Sequence, residues 1–282
     1  MNIKCLVATS VIALASASAV QAADVMMPRE AQSVVTFTPT FSWTGFYLGG
    51  QIGNFSSKND VHKRNVTDAL KKEFTPKPSG FMGGIYAGSN VDLGNGFIFG
   101  VETDAVWADR EDTKNVDSWT LASAAEANKL KQNFEDAKVT FDDDQAALFV
   151  ADSTVADDLT LREKWSGATR VRLGFAVADR FMPYVAGGVA YTQLRGINHV
   201  TVTEKDKKAN DKSTSVSGDL FDKTKMTVGY TLGAGFDFAM VDNVILRAEY
   251  RYSDFGKMKF AKDQYEVGYK TNDFRVGVAY KF

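Results

Sequence analysis

Residues 164–177, KWSGATRVRLGFAV, contain the pattern that decides the fold. From Trp165 to Val177 the large apolar side chains fall on alternate positions, and the positions between them hold cationic or small residues such as Arg170 and Arg172. Because successive side chains of a β-strand point to opposite faces, this spacing produces one apolar face and one polar face. The segment is therefore predicted to be a strand whose two faces meet different surroundings.

Seven further segments show the same alternation, some of them softened by glycine. They cover residues 46–55, 80–91, 97–107, 184–194, 226–238, 244–252 and 274–282. The connections between the eight segments alternate strictly in length. Three are short (92–96, 178–181 and 239–243) and four are long (56–79, 110–162, 198–223 and 256–271). Short turns at one end and long loops at the other are typical of an up-and-down barrel.

The polar face of the predicted strands carries charges of both signs. A charge buried without a partner is costly, so these side chains are expected to pair inside a closed ring while the apolar face meets lipid. The predicted lumen ion network consists of Glu102, Asp104, Arg170, Arg172, Arg247, Glu249, Arg251 and Arg275. Aromatic residues near strand ends are predicted to form interfacial girdles, namely Phe46, Tyr47, Trp107, Trp165, Tyr191, Tyr250, Tyr252 and Tyr280.

The predicted fold is therefore all-β, an eight-stranded antiparallel up-and-down transmembrane β-barrel with long extracellular loops. A soluble β-sandwich is the alternative, since its strands also alternate. Closure favours the barrel because lipid cannot solvate the open edges of a sheet. The interior of an eight-stranded barrel is about filled by side chains, so open conduction is not expected.

The N-terminus resembles a secretory signal in its three parts. Lys4 precedes an apolar stretch from Leu6 to Val20, and small residues mark a cleavage site after Ala22. Residues 1–22 are therefore predicted to be a signal peptide, with a membrane anchor as the alternative. Residues 23–42 are predicted to be a periplasmic lead-in and 43–282 the barrel. The one cysteine, Cys5, would leave with the signal, so disulfides and thiolate sites are excluded from the mature chain.

Composition excludes several classes of function. The formal net charge of the 282 residues is -2, which argues against nucleic-acid binding. The mean hydropathy of -0.21, with no long apolar run after the N-terminal segment, argues against a helical membrane protein. The sequence contains no nucleophile elbow, no zinc-protease motif and no phosphate-binding glycine loop. No catalytic residue and no confident metal site are predicted.

Two motifs add a family resemblance. The opening WTGFYLGG at 43–50 and the closing FRVGVAYKF at 274–282 resemble the porin-like outer-membrane proteins of alpha-proteobacteria, including hemin-binding surface proteins. The resemblance implies a place in the outer membrane, among its lipids. It also implies that the terminal Phe282 is part of the signal read by the outer-membrane assembly machinery. Members of this family are described as porins, surface antigens, hemin binders and adhesins.

The predicted function is a surface-exposed barrel that binds hemin through its extracellular loops. Hemin needs nitrogen ligands for iron and cations for its propionates. The candidate residues are His62, Lys63 and Arg64 in the first long connection, and His199, Lys205, Lys207, Lys208 and Lys212 in the third. Three alternatives remain open: these histidines ligate nothing, the basic stretches bind host matrix proteins or glycans as an adhesin, or the barrel is a passive porin.

The second long connection holds two further features. Ala127, Leu130, Phe134 and Ala137 stand at helical spacing within 118–138, which predicts a short helix over the barrel mouth. The acidic residues Asp142, Asp143 and Asp144 offer oxygen ligands of the kind calcium takes, but the run has no glycine-punctuated calcium loop. A hydrated surface is the preferred interpretation of this run.

Overall fold

A computed structural model describes residues 41–63, 74–204, 215–260 and 265–282. In these residues eight antiparallel strands form a closed ring in chain order, and β1 pairs with β8 to complete it. The strands are β1 (Gly45–Lys63), β2 (Ser79–Gly94), β3 (Phe97–Thr120), β4 (Thr154–Phe175), β5 (Phe181–Thr203), β6 (Ser215–Val241), β7 (Val244–Phe260) and β8 (Tyr265–Lys281). The predicted eight-stranded up-and-down barrel is confirmed. The predicted signal peptide and all but the last two residues of the lead-in lie outside the described residues.

The outer wall of the barrel carries a band of exposed apolar side chains. It includes Leu48, Ile52, Ile85, Val171, Leu173, Val185, Leu232, Phe236, Val276 and Val278. Aromatic pairs border the band near the short turns, as with Phe97 and Phe175. A second border, here called the outer girdle, consists of Trp107, Trp165, Tyr191, Tyr230 and Tyr252. The segments between the two borders are the lipid-facing part of the strands.

The strands run well past the outer girdle, so the predicted loop boundaries are wrong. β1 continues to Lys63, β3 to Thr120 and β5 to Thr203, while β4 begins at Thr154 and β6 at Ser215. Much of what the sequence predicted as four long loops is therefore strand. The reason is that alternation persists there with the apolar side chains turned inward and the charged ones outward, the reverse of the lipid-facing pattern.

A β-bulge at the outer girdle explains this reversal in β4. The register between β4 and β5 shifts between Glu163 and Trp165, which leaves Lys164 as an extra residue. Odd-numbered positions before Lys164 therefore face the interior, and odd-numbered positions after it face outward. Leu161 is buried inside the ring, whereas Leu173 faces lipid although both have odd numbers. β7 has a similar shift between Asp254 and Lys257.

Beyond the outer girdle the ring opens into two facing sheets. The β6–β7 ladder ends at Tyr230 and Asp254, and the β2–β3 ladder ends at Gly83 and Trp107. One sheet is formed by β3 to β6 and the other by β7, β8 and β1. An apolar core, here called the sandwich core, lies between them and contains Val61, Val116, Leu159, Leu161, Leu194, Phe255, Met258, Val267 and Tyr269.

Two helices in the β3–β4 connection cover this core. They are α1 (Ala124–Asp136), which starts at the N-cap Ser123, and α2 (Asp143–Ala146). The buried residues Ala127, Leu130 and Phe134 of α1 pack in a cluster with Val155, Val200, Val202 and Val216 of the strands. The helix predicted within 118–138 is confirmed. Neither described helix has the length and hydropathy needed to cross a bilayer.

The acidic run at 142–144 has a structural explanation. The Asp142 carboxylate accepts a hydrogen bond from the backbone N–H of Gln145, and the Gln145 side chain accepts one from the N–H of Asp142. This reciprocal capping box places negative charge at the N-terminus of α2, where the helix dipole favours it. Among the residues that the structure describes, no three His, Cys, Asp or Glu side chains are grouped so as to hold a metal ion.

Candidate functional site

The lipid-facing part of the barrel encloses a layer of paired charges. Five arginines and five carboxylates lie there almost without solvent exposure, and together they are called the charged layer. Its members are Glu102, Asp104, Arg170, Arg172, Asp237, Arg247, Glu249, Arg251, Asp273 and Arg275. The structure thus brings together all eight residues predicted from the sequence as a lumen network.

The sequence reasoning missed Asp237 and Asp273. The signal that could have identified each of them is an arginine on the neighbouring strand. Asp237 stands opposite Arg247 in the β6–β7 register, and Asp273 stands opposite Arg251 in the β7–β8 register. Asp237 lies within the predicted strand 226–238, whereas Asp273 lies one residue before the predicted start of the last strand. With these two included, positive and negative side chains balance within the layer.

Glu102 on β3 is the centre of one half of the layer. Its carboxylate lies 2.6 Å from Arg170 Nη2 and 3.2 Å from Arg172 Nη1, and it also pairs with Arg247. The Tyr47 hydroxyl donates a further hydrogen bond of 2.8 Å. Three guanidinium groups around one carboxylate would repel one another without more negative charge. Asp237 supplies that charge, 2.7 Å from Arg172 and 2.8 Å from Arg247.

Asp104 and Glu249 organise the other half. Arg251 donates to both carboxylates, with 3.0 Å to Asp104 Oδ1 and 2.8 Å to Glu249 Oε1. Arg275 also donates to Asp104 at 3.0 Å and to Asp273 at 2.7 Å. Each arginine therefore contacts at least one carboxylate on another strand. Because an arginine fork holds two partners in fixed geometry, the layer ties distant strands together.

Three tyrosines line the same interior and were not predicted there. The guanidinium of Arg172 lies 3.8 Å from the ring centroid of Tyr184, and that of Arg247 lies 4.4 Å from the ring centroid of Tyr86. Tyr47 is buried inside the barrel, so its predicted place in an interfacial girdle is wrong. The alternation of side chains along β1 could have predicted this, because Tyr47 lies on the face opposite to the lipid-exposed Leu48 and Ile52.

The interior is also closed at both ends of the charged layer. On the short-turn side, Trp43 precedes β1 and is buried in a cluster with Tyr86, Ile98 and Met182. Phe41 packs edge-on against Trp43, with ring centroids 4.8 Å apart. On the other side lie the sandwich core and the cluster beneath α1. In the described residues, packed side chains therefore occupy the barrel axis from the short turns to the helical cap.

Glu163 is a buried carboxyl beyond the charged layer and outside the lipid-facing part of β4. It accepts a hydrogen bond from the Tyr269 hydroxyl on β8. Burial raises the pKa of Glu163 to about 7, against the lowering effect of the hydrogen bond from Tyr269. The negative charge of Asp273 works in the same direction as burial. Near neutral pH this carboxyl therefore changes charge inside the molecule.

The outer surface beyond the girdle carries ion pairs across neighbouring strands. Arg162 on β4 donates to both oxygens of Asp109 on β3, at 2.7 and 2.6 Å. These hydrogen bonds hold the pKa of the Asp109 carboxyl below its ordinary value. On the adjacent strands Arg195 forms a similar two-point contact with Asp222. These four charged residues of the wall are thus paired with one another.

The two histidines do not lie in loops as predicted, because the strands extend through both positions. His62 belongs to β1, where it stands opposite Glu266 of β8. His199 belongs to β5, where its Nδ1 lies 2.7 Å from an Asp219 carboxylate oxygen of β6. In a ring of eight strands, β1 and β5 are on opposite sides. The structure therefore separates the two residues that the sequence proposed as iron ligands.

The cationic candidates are less fully described. Lys63 is the last residue of β1 and stands opposite Tyr265. Arg64, Lys205, Lys207, Lys208 and Lys212 lie outside the described residues.

Phe282, the predicted assembly signal, lies beside the first strand, where its backbone N–H donates to the carbonyl of Phe46 at 2.9 Å. The residue is 66% exposed.

Comparison with known proteins places this architecture in a family. The chain is 29% identical to the 31 kDa outer-membrane immunogenic protein of Brucella melitensis biotype 1, over 99% of this chain and all of the relative. It is 26% identical to the 25 kDa outer-membrane immunogenic protein of the same organism, over 100% and 99% of the two chains. The solved outer membrane protein OprG from Pseudomonas aeruginosa is 12% identical with a TM-score of 0.41, covering 85% of this chain and 96% of that one. The model of the outer membrane protein beta-barrel domain matches residues 10–282. The chain belongs to this family and is an outer-membrane β-barrel protein.

Proposed function

We propose that the protein is a closed, non-conducting barrel that presents its sandwich and helical cap outside the cell as a surface for adhesion to host matrix proteins or glycans. The observation that supports this proposal is the filled interior. Paired charges and two apolar clusters occupy the axis of the barrel in the described residues. A solute path would require the charged layer to separate, and leaving a buried charge without its partner is strongly unfavourable.

The outer part of the molecule is built as a stiff platform. β3 continues 13 residues beyond Trp107, which corresponds to roughly 40 Å of strand. The sandwich core fixes this extension from inside, and the Arg162–Asp109 contact links its strands from outside. A pre-ordered surface loses little conformational entropy when it binds a partner. The extended strands and the cap are therefore the part suited to recognition.

Attachment of cells tests the adhesion proposal. The backbone N–H of Leu121 donates to the carbonyl of Ser153 at 2.9 Å, so residues 122–152 can be replaced by a short glycine-serine linker without moving the strand ends. Bacteria displaying the intact protein should attach to surfaces coated with fibronectin or heparin, and the shortened variant should attach less. Equal attachment by cells that lack the protein would overturn the proposal.

Conductance separates this proposal from a passive porin. Purified protein reconstituted in a planar bilayer should give no steady single-channel current. A reproducible conductance that persists after repurification would show that the charged layer opens and would favour the porin.

Hemin binding by the outer end stays a prediction. The two histidines are on opposite sides of the ring, so a single iron is expected to take at most one of them. Hemin titration of the refolded protein, followed by its Soret band, measures binding directly. His62→Ala and His199→Ala tested singly would identify a ligand, and an unchanged Soret titration in both would remove the histidines from consideration.

A further inference from the structure

Two lysines stand directly opposite each other on the outer wall. Lys58 of β1 is paired in register with Lys270 of β8. The residues on either side of each lysine, such as Ser57 and Tyr269, are buried, so both lysine side chains are on the outer face of the barrel. Like charges at directly opposed positions of a ladder are unfavourable unless something neutralises them.

The described residues supply little neutralisation. Asp254 of β7 lies 3.4 Å from Lys270 Nζ, and no described carboxylate forms an ion pair with Lys58. The next residue on this face of β1, Asp60, lies one step further from the membrane, opposite Gly268. The nearby Lys257 is paired with Glu266 at 2.8 Å. Asp254 thus pairs with Lys270 alone, and Lys58 has no close carboxylate among the described residues.

The height of the pair above the lipid band is defined by the register. Lys58, Lys270 and Asp254 form one row across β1, β8 and β7, and the row below it contains Ser56, Asn272 and Tyr252. Tyr252 belongs to the outer girdle. Adjacent rows on one face are roughly 7 Å apart along the strand, so the lysines lie just beyond the girdle. This is the level at which the charged head groups of the outer leaflet meet the protein.

We infer that Lys58 and Lys270 form a binding site for the phosphate group of a phosphorylated glycolipid of the outer leaflet. A phosphate placed between two ammonium groups forms charge-assisted hydrogen bonds with both and removes their repulsion. Ser56 and Asn272 in the row below offer further donors to the sugar or phosphate oxygens. The inference does not depend on the proposed adhesive function, since it concerns the wall of the barrel rather than its cap.

Binding of bisphosphorylated lipid A to the detergent-purified full chain, counted by native mass spectrometry, tests this site. The variant Lys58→Ala/Lys270→Ala should bind the lipid about tenfold more weakly. The variant Lys58→Arg/Lys270→Arg should retain binding. The control Lys129→Ala/Lys138→Ala removes two exposed lysines in and just after α1 and should behave like the unmodified protein. Heat-modifiable migration in electrophoresis verifies that each variant is a folded barrel.

Dephosphorylated lipid A supplies the second arm. The unmodified protein should bind it weakly, and the alanine variant should bind it no more weakly than the unmodified protein does. Equal binding of bisphosphorylated lipid A by the unmodified protein and the alanine variant would overturn the inference. So would a loss of binding that is the same for phosphorylated and dephosphorylated lipid.

Discussion

Arg170 on β4 and Glu249 on β7 meet across the interior of the barrel through two hydrogen bonds, Nη1 to Oε1 and Nη2 to Oε2, both 2.9 Å long. Their strands are three apart in the ring, so no local pairing brings them together. The contact therefore fixes the width of the interior at this level. It also places the charge of each residue where water cannot compensate for the loss of the other.

Removing one partner of this contact should destabilise the protein strongly. Arg170→Ala leaves Glu249 and Glu102 each without one buried guanidinium, and a loss of about 3–5 kcal/mol in the free energy of unfolding is expected. Urea unfolding of the refolded protein in detergent, followed by tryptophan fluorescence, measures the change.

The matched double variant Arg170→Met/Glu249→Met restores charge balance, because Arg251 keeps Asp104 and Glu102 keeps Arg172 and Arg247. It should be more stable than Arg170→Ala. A double variant as unstable as the single one would show that packing rather than charge pairing dominates here.

The helical cap should open without unfolding the barrel. Phe134 is fully buried beneath α1, and its ring lies 5.2 Å from that of Phe149. Phe134→Ala creates a cavity and is expected to cost about 3–5 kcal/mol of local stability. Limited proteolysis should then cleave between residues 121 and 153 much faster than in the unmodified protein. The exposed Asn128→Ala in the same helix is the control, and equal cleavage of both variants would contradict this role for Phe134.

Stability should decrease as the pH rises from about 4.5 to about 7. The folded protein holds the proton on Glu163 up to a pKa of about 7, whereas the carboxyl of the unfolded chain releases it near 4.5. Between these values the folded state binds more protons, so the free energy of unfolding falls with rising pH, by roughly 3 kcal/mol in total. In Glu163→Gln the side chain can still accept the Tyr269 hydrogen bond, and this part of the pH dependence should vanish. If the difference between the two proteins is the same at pH 4.5 and pH 8, Glu163 does not titrate in this range.

Deleting Phe282 should affect assembly more than stability. The side chain is mostly exposed, so its loss should change the thermal midpoint of refolded protein only slightly. In cells, however, the deleted variant should reach the outer membrane slowly, because the terminal aromatic is the predicted assembly signal. Pulse-labelling followed by membrane fractionation measures the rate, and Phe282→Tyr should assemble normally. An unchanged rate for the deletion would remove Phe282 from this role.

Alternation and the connection lengths were enough to predict the barrel and eight of the ten residues of the charged layer. In β4 the pattern around Arg170 and Arg172 identifies a face that cannot meet lipid, and the same argument holds for Glu102 and Glu249. Pairing of opposite charges then requires a closed interior. The partners of each arginine could not be predicted, since contacts such as Arg170 with Glu249 depend on how strands face each other across the ring.

The extended strands escaped prediction for a specific reason. Leu159 and Leu161 continue the odd-numbered apolar positions of β4, but the extra residue Lys164 turns them inward. Because the outward positions there are charged, they do not fit a lipid-facing strand, and the sequence pattern predicts a loop. The histidines were misplaced because β1 and β5 continue through them as strands, with the neighbouring Val61 and Val200 buried inside.

The position of the extra residue Lys164 determines where the lipid-facing part of β4 ends. Moving this insertion along β4 would move the point at which the apolar side chains of the strand turn from the lipid to the interior. Residues of β4 beyond this point do not have to present apolar side chains to the bilayer. The exposed end of the protein can thus be remodelled over time while the membrane-embedded half keeps its dimensions.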